Sequence, residues 1–354
     1  EQWIPPVVQA GKDWETCMTL NGSWGYNPTD PHWKSSEELI RNLCYVISRG
    51  GNYLLNVGPR ADGSWEPQVG ERLSDIGAWM RVNEESIYGT QPTELPPMRW
   101  GSTVWKPSEA GCRLYCHIME WPQDTKLRLP HKNKVLSARL MGDADIRPTW
   151  TVGEDGLLVD LNRAEALHSA ASVLVLELED EQPEALKLVL RQDDDGQISM
   201  KAPEAEFEGG VYVHWRAPQL DGWHGRKREN RLARWNVRAE HEDRTYRLVA
   251  RYGYNAEDMP EDMAFVCRIG DNDLRIPLQI TGVEPDAHNK ENNQLIMAEL
   301  ESSDTIRLSR GLHSVELHAE GAPASFRKPK GRKNKKLCYT AFPMLEELRL
   351  EPID

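Results

Sequence analysis

The chain has 354 residues, 39% of them hydrophobic and 28% charged, enough for two or three domains with cores of their own. No run approaches the ~20 apolar residues of a membrane span. Forty-three Lys and Arg against 56 Asp and Glu, a net charge of -13, argue against a general nucleic-acid binder. The charge is unevenly spread, -11 over residues 1–200 and -2 over residues 201–354, so two parts of different character meet near residue 200. Thirteen Trp against four Phe is the unusual count. Indole pairs a flat apolar face with one N–H donor, the combination that stacks on sugar rings. The chain opens Glu1-Gln2-Trp3, without initiator Met, charged n-region or apolar h-region, so its natural beginning is expected upstream.

Residues 14–20, Trp-Glu-Thr-Cys-Met-Thr-Leu, read as a strand, and Ser35-Ser36-Glu37-Glu38 opens a helix with a Ser-x-x-Glu capping box. Leu39, Ile40, Leu43, Val46 and Ile47 share one face of that helix, and Gly50-Gly51 ends it. Residues 52–57 form a largely apolar strand and residues 58–63 a turn. Pro67 then starts a second helix with Leu73, Ile76, Trp79 and Met80 inward. The order β-α-β-α suits parallel strands with crossover helices. From about residue 97 short alternating runs take over, at 103–105, 113–119, 135–140, 150–152, 157–161 and 185–190, beside a run at 173–178 that reads as apolar, which predicts an antiparallel sandwich or barrel. Residues 191–196, Arg-Gln-Asp-Asp-Asp-Gly, form a hinge and read as a solvated turn, since the spaced ligands and bidentate Glu of a calcium loop are missing. Further strands are expected at 211–215, 234–238, 246–252, 265–269, 305–308, 313–318 and 345–350. The six scattered cysteines lack zinc-site spacing and read as buried free thiols, with no metal or cofactor implied.

Glu15 lies between Trp14 and a mostly uncharged strand. A carboxyl held against apolar surface loses solvation in its ionised form and stays protonated to higher pH, the condition for a general acid that protonates a glycosidic oxygen. A Glu at a strand end also serves as a surface ion-pair partner. Just downstream, Asn21-Gly22-Ser23-Trp24-Gly25-Tyr26-Asn27 and His32-Trp33 crowd aromatic and amide groups after the strand, where the loops of a β/α barrel form the active face. Trp14, Trp24 and Trp33 are expected to gather round Glu15; Trp24 and Trp33 serve either as sugar-stacking faces or as loop anchors.

These residues carry a resemblance. Trp14-Glu15-Thr16-Cys17-Met18-Thr19, Ser23-Trp24-Gly25-Tyr26-Asn27, Gly50-Gly51-Asn52-Tyr53-Leu54-Leu55-Asn56-Val57-Gly58-Pro59, Asp62-Gly63 and Ile87-Tyr88-Gly89-Thr90 resemble the C-terminal part of the catalytic domain of α-L-fucosidases of glycoside hydrolase family 29. The match is dense over residues 1–90, and residues 97–190 fit the family's β-domain more loosely. The resemblance implies a retaining exo-glycosidase with a (β/α)8-like barrel that releases terminal α-L-fucose from fucosylated glycans through a covalent intermediate. By motif position Glu15 matches the glutamate assigned as acid/base in several members, and Trp33 lies where an aromatic side chain packs against the fucose methyl group. Secretion, periplasmic export or lysosomal delivery would follow from such substrates. The family's aspartate nucleophile and fucose-gripping histidines come from earlier barrel strands, and Asp30 and Asp62 sit in turns where local backbone bonds are their natural partners.

The expected fold class is therefore α/β then all-β: a partial (β/α)8-type barrel over residues 1–92, a β-sandwich over 93–192 and a second, jelly-roll sandwich over 201–354. The last resembles the β-jelly-roll modules of carbohydrate-binding families 6 and 35, through Arg234-Trp235-Asn236-Val237, residues 246–252, residues 311–317 and Leu348-Arg349-Leu350-Glu351-Pro352. Trp215, Trp223 and Trp235 are stacking candidates there, with core packing the ordinary role for at least two. Two basic runs, Arg226-Lys227-Arg228 with Arg231 and Arg234, and Arg327-Lys328-Pro329-Lys330-Gly331-Arg332-Lys333-Asn334-Lys335-Lys336, read as solvated loops or as contacts to a sulfated or acidic polysaccharide. The rival function is a glycan-binding protein without catalysis, its barrel remnant vestigial.

Overall fold

The computed structural model describes residues 4–5, 8, 11–96, 98–143, 145–163, 165–208, 212–213, 220–221, 232–254, 263–285, 293–321 and 344–353. The chain packs as two units, Glu1–Lys187 and Leu188–Asp354. In the first, β1 (Trp14–Thr19) lies parallel to β2 (Gly51–Asn56), with Glu15 beside Asn52, Cys17 beside Leu54 and Thr19 beside Asn56. Parallel neighbours need a crossover, and α1 (Ser36–Ser48) supplies it. The helix starts where the capping box predicts, Ser35 Oγ accepting the Glu38 N–H at 3.1 Å. It stops at Gly50, whose φ of +77° is the left-handed turn that glycine takes without strain.

α2 (Pro67–Asn83) has proline in its first turn, where the missing N–H costs nothing. Its inward stripe runs through Val69, Ile76, Trp79 and Asn83, whereas Leu73, expected inside, is exposed. The position between Val69 and Ile76 on that stripe belongs to Arg72. Its guanidinium lies 5.6 Å from the centre of the Trp33 ring and donates to Lys34 O at 2.6 Å, so the charge is kept satisfied at the edge of the core.

Eight antiparallel strands follow: β3 (Gln91–Pro92), β4 (Gly101–Ser108), β5 (Gly111–Ile118), β6 (Lys126–Leu129), β7 (Val135–Leu140), β8 (Thr149–Gly153), β9 (Gly156–Asp160) and β10 (Ser172–Leu178). They form a sheet of order β3-β4-β5-β10-β7 and a smaller one of order β6-β9-β8. One core joins the helices to the larger sheet, through Ile40, Cys44 and Trp79 on one side and Val104, Tyr115 and Val173 on the other. Of the strand expected at 185–190 only Val189 and Leu190 pair regularly. Ala185 makes an isolated bridge to His131, and regular pairing resumes only at Val189.

The second unit is all β. One six-stranded sheet is built on Val189–Arg191, Leu232–Ala239, Gly311–Glu320, Ala264–Ile269 and Asn272–Pro277, with Glu206–Glu208 also paired to Leu232–Ala239. The other six-stranded sheet is built on Tyr212–Val213, Leu220–Asp221, Met344–Pro352, Arg244–Gly253 and Met297–Leu308, with Ile198–Lys201 also paired to Met344–Pro352. Trp235, Tyr246, Leu248, Tyr252 and Phe265 fill its core, while Arg247 and Arg251 face out to Glu301 and Glu346, the alternation of a half-buried strand. The 191–196 segment is a closed turn in which Asp193 Oδ1 accepts the Asp195 and Gln197 N–H groups. Cys17, Cys44, Cys112, Cys116 and Cys267 are free thiols, all but Cys17 buried; Cys338 lies outside the described residues.

Candidate functional site

Side chains alternate along β1 and β2. Leu20 and Leu55 pack with Leu39 and Val69 of the helices, so the register places Glu15, Cys17 and Thr19 on the opposite face with Asn52, Leu54 and Asn56. Glu15 is exposed there, at the start of β1. Four residues at about 3.3 Å each put it roughly 13 Å before the strand's C-terminal end. Trp14 turns to the helix side: its Nε1 donates to Arg49 O at 3.1 Å, and a Cβ on Gly51 would stand 2.3 Å from its ring. The expected gathering of Trp14, Trp24 and Trp33 round Glu15 is therefore not what the fold builds. Trp14 is on the other face, and Trp24 and Trp33 lie past the other end of the strand.

What gathers instead is the loop after β1 and the loop after β2, both at the C-terminal ends of parallel strands. Asn56 Nδ2 donates to Trp24 O at 2.7 Å, and Lys34 Nζ donates to Thr19 O at 2.7 Å and Asn21 O at 3.4 Å. Asp30 serves this loop, accepting from Ser23 Oγ at 2.8 Å and from the His32 N–H at 3.0 Å. Asp62 Oδ1 accepts from Ser64 N and Oγ at 2.9 and 2.7 Å, and those bonds hold its carboxyl below the usual carboxylate range. Both aspartates are thus turn-formers, as their sequence contexts predict.

Backbone meets backbone where the loops cross. A Cβ on Gly58 would lie 2.6 Å from Gly25 C and 2.7 Å from Tyr26 N. Gly58→Ala is expected to push the loops apart and cost about 1–3 kcal/mol, the range for overpacking. Faster amide hydrogen exchange across residues 21–33 with a lowered unfolding temperature would show it; an unchanged exchange pattern would contradict it.

Between the loops is a small cleft lined by Leu20, Val69 and Trp33 on its apolar side and by Asn21, Tyr26, Asn27 and Glu66 on its polar side. Trp33 is half-buried and packs on the helix core, whereas Trp24 is 42% exposed. Arg60 grips Glu66 with two parallel bonds, Nε to Oε1 at 3.1 Å and Nη2 to Oε2 at 2.8 Å. Arg60, and after it the adjacent Tyr26 hydroxyl, lower the Glu66 pKa, so this carboxylate stays ionised. Sequence reasoning passed over Arg60 and Glu66; their signal is a charge pair six residues apart flanking an Asp-Gly turn.

Among the described residues no group of three or more His, Cys, Asp and Glu side chains is placed to hold a metal ion, and no helix is long and apolar enough to cross a membrane. Trp215, Trp223 and both basic runs lie outside the described residues. Arg234, beside the first run, is paired with Glu316 at 2.8 Å. Trp235 is 1% exposed, its Nε1 donating to Lys201 O, and belongs to the core.

Residues 1–85 match the family model described as alpha-L-fucosidase. Tissue alpha-L-fucosidase of Macaca fascicularis is 34% identical over 170 residues, 46% of this chain and 35% of that protein. Plasma alpha-L-fucosidase of Homo sapiens is 33% identical over 155 residues, 42% of this chain and 33% of that protein. The chain spans about a third of the length of these curated relatives. A crystal structure of alpha-L-fucosidase from Vibrio sp. strain EJY3 superposes with a TM-score of 0.66 at 21% identity, covering 98% of this chain and 56% of that one. At that identity the likeness speaks to the fold, and it extends over both units.

Proposed function

We propose that this chain, which belongs to the α-L-fucosidase family through residues 1–85, is the C-terminal part of a retaining glycoside hydrolase that removes terminal α-L-fucose from glycans. One observation carries it: the family match covers the two βα units whose post-strand loops meet in an aromatic cleft. In this reading β1 and β2 are strands of a (β/α)8-type barrel, residues 93–192 are the accompanying sandwich, and residues 201–354 are a jelly-roll module. The two basic runs would serve an acidic glycan. Trp33 floors the subsite for the released sugar and Trp24 stands at its rim.

Retention needs two carboxyl groups about 5–5.5 Å apart, one as nucleophile and one as acid/base. Asp30, Asp62 and Glu66 are committed to Ser23, Ser64 and Arg60, so the nucleophile is assigned to sequence outside these residues. Glu15 is assigned as acid/base by motif position alone, since it stands roughly 13 Å before the C-terminal end of β1, where the cleft lies. In the full-length enzyme, Glu15→Ala should lower kcat by about 10²-fold or more, with partial rescue by azide. Unchanged kinetics would move the role to another carboxyl. The purified chain alone should not turn over an aryl α-L-fucoside; turnover would overturn the assignment of the nucleophile elsewhere.

A further inference from the structure

The rim of the cleft carries chemistry that neither the family motif nor the acid/base assignment uses. Arg60 and Glu66 form a two-bond pair that remains open to solvent, their side chains 40% and 21% exposed. Tyr26 stands beside them at 41% exposure, and Trp65, next in sequence to Glu66, is 49% exposed. Exposed aromatic rings around a pre-oriented ion pair are an unusual use of surface, because each ring leaves apolar area in water. We propose that Tyr26, Arg60, Trp65 and Glu66 form a subsite for the neutral sugar that leaves when the terminal residue is cleaved. The proposal rests on the glycosidase reading given above.

The chemistry points to a neutral polyol. A guanidinium has five N–H donors, of which Glu66 takes two, leaving donors beside a carboxylate with free lone pairs. Adjacent donors and acceptors of this kind match vicinal sugar hydroxyls, each of which gives one hydrogen and accepts others. Because the pair is neutral as a whole, it offers no net attraction to an anion, and the Glu66 carboxylate opposes a sulfate or uronate at the same point. Trp65 and Tyr26 supply flat faces for the C–H side of a pyranose ring. The location fits as well. Gly58 seats the second loop on Gly25 and Tyr26, so Tyr26 and Glu66 line the same cleft as Trp33, while Arg60 is bonded to Glu66 and the exposed Trp65 precedes it in the chain.

A structural staple would look similar in one respect, since Arg60 also shapes its own turn through its N–H to Ser64 O and its carbonyl from Gly63 N–H. The test therefore uses Trp65→Ala, which leaves the ion pair in place, alongside Glu66→Gln. The chain is titrated with lactose, a neutral disaccharide lacking fucose, while the indole N–H signals are followed by NMR. Saturable shifts are expected, with affinity reduced about tenfold in each variant, the equivalent of one good hydrogen bond or stacking contact. No saturable binding by the wild-type chain, or wild-type affinity retained in both variants, would overturn the subsite. In the full-length enzyme, kcat/KM for a fucosylated lactose should fall about tenfold further than kcat/KM for an aryl α-L-fucoside in the same variants. Equal losses on the two substrates would also overturn it. If the full-length enzyme cleaves neither substrate, the glycosidase reading fails, and the lactose titration still decides whether the subsite exists.

Discussion

Trp79→Ala is expected to lower the stability of the first unit by about 4 kcal/mol or more, because a buried Trp→Ala change costs about 3–5 kcal/mol in lost transfer energy and cavity. The side chain is 1% exposed, and its Nε1 donates to Ala171 O at 2.8 Å. Removing the indole thus opens the core beneath α2 and also strands a buried carbonyl, itself worth roughly 1–3 kcal/mol when left unmade. The location makes the loss consequential. Trp79 sits in the cluster that ties Ile40 and Cys44 of α1 to Val104, Tyr115 and Val173 of the sheet, so the helices that carry the cleft lose their base. For a unit of this size each kcal/mol moves the unfolding temperature by roughly 2–4 °C, and a drop of about 8–16 °C by calorimetry is expected. Trp79→Phe is expected to cost less, about 1–2 kcal/mol, since it keeps a six-membered aromatic ring and loses the N–H donor together with part of the indole volume. A fall of under 1 kcal/mol in the alanine variant would contradict the placement of Trp79 as the keystone of this core.

The helices and parallel strands were legible because their signals are local. Ser35, Glu38 and Gly50 mark the ends of α1 by cap chemistry, and Pro67 marks the start of α2. Leu73 was misplaced for an equally local reason. Val69, Leu73, Ile76 and Met80 form one helical stripe and Val69, Arg72, Ile76, Trp79 and Asn83 another, and hydrophobicity alone favours the first. The second prevails because Arg72 covers Trp33 and reaches Lys34 O, which only the tertiary neighbour decides. Residues 185–190 have strand-like composition, yet Leu186 N–H finds only Pro130 O and pairing stays isolated at Ala185 until it becomes regular at Val189; a strand needs a partner along its length. Conversely β6, Lys-Leu-Arg-Leu, alternates cleanly and its two leucines are buried, a signal that was present and passed over.

The candidate site was legible as a segment but not as a constellation. The period of a strand was enough to separate Trp14 from Glu15, since neighbours point to opposite faces. Arg60 and Glu66 lie on a different loop from Tyr26, and nothing in one-dimensional spacing announces that Gly58 packs against Gly25. The pairing of β1 with β2 brings the two loops together, so the rim of the cleft became visible only with the fold.

Stability of the first unit should fall as the medium is acidified from neutrality, well before its carboxylates titrate. His117 is fully buried between Ser86 Oγ, 3.1 Å from Nε2, and Ser102 Oγ, 3.4 Å from Nδ1, with the Trp79 ring 6.5 Å away at 48°. Burial pushes its pKa down to about 4, against a bond to Ser86 that works the other way. His131, buried near the Ala185 bridge, is also pushed by burial to about 4. An unfolded histidine titrates near 6.5, so between about pH 6.5 and 4 the unfolded chain holds more protons than the folded one, and stability must drop as pH falls. The contribution of each group is complete above its unfolded pKa and lost through its folded one, on the order of 3 kcal/mol for a shift of this size. Glu85 and Glu177 also have folded pKa values below normal. In both, burial acts to raise the value and is outweighed, for Glu85 by Tyr115, Arg139 and Arg113 and for Glu177 by Ser108 and Arg113. Their loss has the same sign but begins lower, below the ordinary carboxylate pKa. Urea unfolding of the chain at several pH values should therefore show a slope of up to roughly 2.7 kcal/mol per pH unit from two buried imidazoles, and His117→Gln should remove about half of it while keeping an amide in reach of both serines. An equal slope in wild type and variant would show that His117 is not the group taking up the proton.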